Sequence, residues 1–185
     1  MGYDLYISEQ TDFRIDSKGR QQHTVTQLLS LCGEVAKALE EELGTDLDNC
    51  RTANVDAMDI ISVLHSCQEY VSKRGQYKQD AEDSQKHLNH VYDLIEEQLN
   101  LGNVKEILDS KDYLAKRRII QKLNEELKEA FCEAEAKHRM NKYYLHMVDV
   151  REELEGELEE FIKENEIDVD DTEWGERTFE VHIWY

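Results

Sequence analysis

The amino-acid sequence predicts a mainly α (α+β) protein, a helical bundle or long helical hairpin with a small antiparallel sheet formed by the N- and C-terminal strands. Three observations carry this. The 185 residues include no proline, which suits long helices. Apolar residues recur three and four apart through most of the chain, the spacing of a helix face. Both ends instead alternate apolar and polar residues, the period of a half-buried strand. The length fits one domain, residues 1–185.

Tyr3, Leu5 and Ile7 alternate with Asp4, Tyr6 and Ser8, and Phe179, Val181, Ile183 and Tyr185 alternate with Glu180, His182 and Trp184. A further candidate, Asp12 to Asp16, precedes the turn-like Ser17-Lys18-Gly19-Arg20. The sheet segments are therefore residues 3–16 and 178–185. A two-stranded ribbon is barely stable alone, so the two ends are expected to share one sheet with helices over its apolar face.

Everything between has a helical pattern, with helices expected at about 25–43, 54–73, 77–101, 111–139 and 142–164. Thr24 and Gln27 fit a capping box, followed by a stripe of Leu28, Leu31, Cys32, Val35, Leu39 and Leu43 that ends at Gly44. The second helix carries Met58, Ile61, Leu64 and Val71 and stops at Lys73-Arg74-Gly75. The third has Ala81, Leu88, Val91, Ile95 and Leu99 in register and ends at Gly102, with Ser110 a candidate cap for the next helix. From Asp112 onward, Ile120, Leu123, Leu127, Ala130 and Ala134 have coiled-coil-like spacing. Lys137 interrupts this stripe, which resumes on a shifted track at Leu145, Val148, Leu154, Leu158 and Phe161. The shift predicts an antiparallel hairpin broken near His138 to Lys142. One continuous helix is the alternative, and it would invite dimerisation.

Charge bounds the function. The formal net charge is −20, from 42 Asp and Glu against 22 Lys and Arg. Direct binding to a nucleic-acid backbone or an anionic membrane relies on clustered cations, so both are disfavoured. Residues 149–180 alone hold 15 acidic and 3 basic residues. No apolar run approaches the ~20 residues of a membrane span, and Met1-Gly2-Tyr3-Asp4 does not open a signal peptide. Tyr6 stands where a myristoylation motif needs Ser or Thr. Cys32, Cys50, Cys67 and Cys132 form no CxxC pair, so reduced thiols in a cytoplasmic setting are expected.

Catalytic signatures are few. The eight glycines build neither GxGxxG nor GxxxxGK[ST], and GxSxG, HExxH and a complete EF-hand loop are absent. His87 and His90, three apart on one helix, are expected to be surface or half-buried residues, and His65 is expected in the core or at an interface. No resident cofactor is expected.

One constellation points to a metal. Leu31-Cys32-Gly33-Glu34-Val35-Ala36-Lys37 is followed by Asp56-Ala57-Met58-Asp59-Ile60-Ile61. Over roughly 35 residues this locally resembles the all-α nucleoside triphosphate pyrophosphatases of the MazG type. In that family paired carboxylates on successive helices hold Mg²⁺ against the triphosphate. The resemblance implies Glu34, Asp56 and Asp59 as metal ligands and release of pyrophosphate from nucleotides. Lys37 departs from it, since it stands where the second Glu of the first pair belongs.

The acidic C-terminal region gives the leading expectation, a non-catalytic regulatory protein that binds a partner with a basic surface. Glu153, Glu157, Glu160 and Glu164 line the outer face of a helix that leads toward Asp168 and Asp171, with Trp174 as an aromatic anchor. A row of carboxylates at helical spacing can imitate the phosphates of a nucleic acid and occupy a basic groove. Small acidic inhibitors encoded by viruses are similar in size and charge. Tyr143, Tyr144 and Trp184 are further anchor candidates. Glu159 and Lys163 are spaced to pair at i,i+4. The remaining alternative is a structural protein that self-associates through its long helices.

Overall fold

A computed structural model describes residues 4–15, 21–44, 52–167 and 178–184. They fall in two compact units, Met1–Ser72 with Val148–Tyr185, and Lys73–Met147. The fold class is the expected one, mainly helical with a small sheet.

The first unit is built on a four-stranded antiparallel sheet with strand order β2-β1-β4-β3. Strand β1 (Asp4–Ile15) and strand β2 (Gln21–Cys32) form a hairpin, and β1 also pairs with β4 (Thr178–Trp184) from Asp4↔Trp184 to Ser8↔Glu180. The two chain ends therefore share one sheet, as expected. Strand β3 (Thr52–Asp56) completes it on the far side of β4. Side chains alternate across the pleat: Leu5, Ile7, Leu31, Val55, Phe179 and Val181 are buried, while Tyr6 and His182 are only partly covered.

Two strands lie where helix was expected. Residues 25–32 belong to β2, and the helix begins only at Gly33. Val25, Gln27, Leu29 and Leu31 also fit a period of two, Val25 and its neighbours Thr24 and Thr26 are β-branched, and pairing with β1 decides between the two periods. Gly33, at φ 59°, turns the chain from strand into helix α1 (Gly33–Leu43), and Gly44, at φ 62°, ends that helix as expected. Likewise residues 52–56 pair with β4, so helix α2 (Ala57–Ser72) starts later than the pattern suggests. It ends before Lys73, and Gly75 lies inside the next helix rather than closing this one. His65, on α2, is exposed rather than in the core.

The second unit is all helical. Helix α3 (Arg74–Leu99) ends at Asn100, which takes the left-handed conformation ahead of Gly102. Helix α4 (Val104–Asp109) is capped by Glu96, whose carboxylate accepts the Val104 N–H at 3.0 Å. Helix α5 (Tyr113–Ile120) is capped by Asp112 rather than Ser110. The Ser110 hydroxyl instead donates to the Ile107 carbonyl and accepts the Asp112 N–H. Leu88, Val91, Ile95, Val104, Leu108, Ile119, Phe131 and Ala134 make its core. His87 and His90 are exposed on α3.

The expected hairpin at 138–142 does not form. Helix α6 runs unbroken from Glu125 to Glu164, 40 residues. Nothing between them breaks a helix: there is no proline, and the lone Gly156 meets nothing that bends it. The apolar track is interrupted without a break in the helix: buried His138 and half-buried Asn141 take the inward positions between Ala134 and Leu145, and the Asn141 amide donates to the Asp80 carbonyl at 3.0 Å. Neither the 111–139 helix nor a single helix from 112 is present, because the chain leaves helix at residues 121–124. Asn124 accepts the Leu127 N–H at 2.8 Å, which caps the start of α6.

Within this unit His138 is buried against Ser84, whose hydroxyl lies 3.3 Å from Nδ1. Burial pulls its pKa below the usual imidazole range, the nearby Lys142 adds to this, and Asp109 opposes it. A depressed folded-state pKa means the unfolded chain takes up the proton first. Stability is full above the unfolded value of about 6.5 and falls as the pH drops below it. We expect the urea midpoint of the wild type to fall between pH 7.5 and 5.5, and that of His138→Gln to fall by measurably less. Equal falls would contradict this.

Candidate acidic interaction surface

The surface is built on residues 148–164 of α6, where one helix presents two unlike faces. Val148, Leu154, Leu158, Phe161 and Ile162 point inward and are buried. The Phe161 and Phe179 rings meet edge to face at 5.4 Å, which fixes the helix to β4 of the sheet. Asp149, Glu152, Glu153, Glu159, Glu160 and Glu164 are exposed on the other side, and Glu155 and Glu157 are half-buried.

Glu153, Glu157, Glu160 and Glu164 follow one another at the spacing of a single helix stripe. At 1.5 Å per residue the stripe is roughly 16 Å long. None of the four side chains makes an ion pair or hydrogen bond with a described residue. Glu159 and Lys163, expected to pair, do not: both are exposed, and such a pair is worth only a few tenths of a kcal/mol against the rotamer freedom it removes. Asp168, Asp171 and Trp174 lie outside the described residues, as does the ring of Trp184. Tyr143 and Tyr144 sit in the second unit, 54% and 38% exposed, with Tyr144 stacked 5.9 Å from Tyr77.

Arg151 explains why this segment is so poorly compensated. It is one of two basic residues between Val148 and Glu164, and it faces inward. Its Nη2 and Nε lie 2.8 and 2.9 Å from Oε1 of Glu42 on α1. The Ser66 hydroxyl donates to Oε2 of the same carboxylate at 2.6 Å, and the guanidinium stands 4.6 Å from the centre of the Tyr70 ring. Beside this cluster the buried Cys67 thiol is pushed up to about 12, chiefly by burial and then by Glu42. Arg151 thus ties α6 to α1 and α2 and neutralises Glu42, leaving the outward carboxylates without it. Sequence reasoning misses this arrangement. Its signal is an arginine three residues from both Val148 and Leu154, on the apolar track itself.

The residues implied by the pyrophosphatase resemblance are placed differently. The Asp59 carboxylate accepts the Asp56 N–H at 3.0 Å, and the Asp56 carboxylate accepts the Asp59 N–H at 2.8 Å. This reciprocal pair is a capping box that starts α2. Glu34 lies in the first turn of α1. Among the described residues no three His, Cys, Asp or Glu side chains gather where they could hold a metal ion. As the N-cap of α2, Asp56→Ala is expected to cost about 1 kcal/mol of stability, read as a lower urea midpoint. An unchanged midpoint would contradict the capping role.

No family model, curated protein or solved structure matches the chain. Among the described residues no helix is long and apolar enough to cross a membrane.

The distribution of charge is the decisive feature. The first unit holds 28 acidic and 8 basic residues, a net of −20, while residues 73–147 hold 14 of each. Along α6, the eight acids from Asp149 to Glu164 amount to about one carboxylate per 3 Å of axis. One strand of DNA carries about one phosphate per 3.4 Å.

Proposed function

We propose that the protein is a non-catalytic regulator that binds a basic surface on a partner protein through the outward carboxylates of α6. The observation that carries this is the confinement of the whole net charge to one unit, where Glu153, Glu157, Glu160 and Glu164 have no ion-pair partner among the described residues. A linear charge density close to that of a nucleic-acid strand makes a nucleic-acid-handling protein the natural partner, and imitation of its nucleic acid the means of inhibition. Small acidic inhibitors of this kind are encoded by viruses. The free thiols of Cys32, Cys67 and Cys132 suit a reducing, cytoplasmic setting.

The experiment is capture on tagged protein from native lysate at about 50 and 300 mM salt, which brackets strong and weak screening. The reading predicts a basic nucleic-acid-handling protein retained at the lower salt and released at the higher. Captured partners that are acidic, or retention indifferent to salt, would overturn it.

A further inference from the structure

The second unit carries a site of the opposite sign. Residues 111–122 hold five Lys and Arg against one Asp, in a chain whose net charge is −20. Part of this segment, on helix α5, lines a cavity of about 420 Å³ together with residues 131–139 of α6. Its size falls in the range of small-molecule sites. Tyr113, Lys116 and Arg117 contribute from α5, and Phe131, Glu135 and Arg139 from α6.

Three features say what such a cavity takes. The side chains of Lys116 and Arg117 make no ion pair or hydrogen bond with any described residue. Arg139, on the same lining, pairs with Glu135 at 2.6 Å. Three cations therefore face one carboxylate, leaving two positive charges unmatched at the rim. A lysine and an arginine fork together suit a phosphate group. The walls supply the other half of a ligand, since Phe131 and Ile120 line the cavity and the Tyr113 ring stands 72% exposed at its edge. An aromatic ring left so bare offers a face for stacking. Basic residues in the last turn of α5 also complement its dipole. That gives Arg117 and Arg118 a local role, but it does not account for the half-buried Lys116 or for a tyrosine left 72% exposed on the cavity lining.

We propose that this cavity binds a small phosphate ester with a planar ring, of the nucleoside monophosphate class. The ring lies against Tyr113 and the apolar wall, and the phosphate meets Arg117 and Lys116. This site is separate in residues and in sign from the acidic surface of α6, and its test does not depend on that reading.

The test titrates AMP, adenosine and inorganic phosphate separately into the 185-residue protein labelled with ¹⁵N. AMP is expected to give saturable shifts at Tyr113, Arg117 and Glu135, with adenosine and phosphate each binding at least about tenfold more weakly. Arg117→Glu is expected to weaken AMP at least about tenfold and Tyr113→Ala several-fold. Both residues are exposed, so both variants should keep the wild-type amide spectrum elsewhere. Lys105→Glu, on α4 and outside the cavity, makes the same change of charge and is expected to leave binding unaltered. No saturable shift with AMP would overturn the proposal. So would phosphate binding as tightly as AMP, or Lys105→Glu matching the loss from Arg117→Glu.

Discussion

Arg151→Ala is expected to lower the stability of the first unit by about 3 kcal/mol, at the lower end of what breaking a buried pair costs. The guanidinium side chain is 9% exposed and Glu42 is 18% exposed, so removing the arginine leaves a half-desolvated carboxylate with only the Ser66 hydroxyl. It also removes the cation from over the Tyr70 ring. The Nη1 atom is already buried without a hydrogen-bond partner, so the native pair is itself imperfectly satisfied. That imperfection yields a second expectation. Arg151→Met combined with Glu42→Leu removes both charges together and should recover most of the loss. Urea unfolding of the three proteins decides this, and a double variant less stable than Arg151→Ala would contradict it.

Phe179→Ala is expected to cost about 3 to 5 kcal/mol, the range for truncating a buried phenylalanine. Phe179 is 1% exposed, packs edge to face on Phe161, and sits in β4 opposite Val55. The cavity would open where α6 meets the sheet, and the carboxylate stripe keeps its position only while the inner face of α6 is seated. Phe179→Leu keeps most of the volume and should cost roughly 1 to 1.5 kcal/mol. Thermal unfolding read by circular dichroism measures both. Equal losses for Ala and Leu would show that the aromatic pair, rather than filled volume, fixes the helix.

How legible each element is in the sequence depends on how local its signal is. The pairing of β1 with β4 is readable because both segments alternate cleanly around Leu5, Ile7, Phe179 and Val181. Strand β2 is not, because Leu28 and Leu31 satisfy a helical spacing while Leu29 and Leu31 satisfy a strand's. Only the partner strand settles such a segment, and a partner is not a local property. The unbroken α6 is hidden because His138 and Asn141, both polar, take inward positions between Ala134 and Leu145, and a gap in the apolar stripe reads as a break. Its true start is marked by Asn124 ahead of two glutamates, a cap signal that the stripe through Leu123 and Leu127 overrides. Of the site, the outward stripe from Glu153 to Glu164 is legible from helical period alone. The inward turn of Arg151 is not, since its partner Glu42 lies 109 residues away in the chain.

We propose that the acidic stripe, and not acidity in general, binds the partner. It is tested most directly by comparing two variants of equal charge. Glu153, Glu157, Glu160 and Glu164 are changed together to Lys in one. Glu82, Glu97, Glu129 and Glu133, exposed in the second unit, are changed to Lys in the other. Each change adds two charges, so both variants move from −20 to −12. With helicity matched by circular dichroism, capture of the basic partner at low salt should be lost in the first variant and kept in the second. Equal loss in both, or none in the first, would contradict the account.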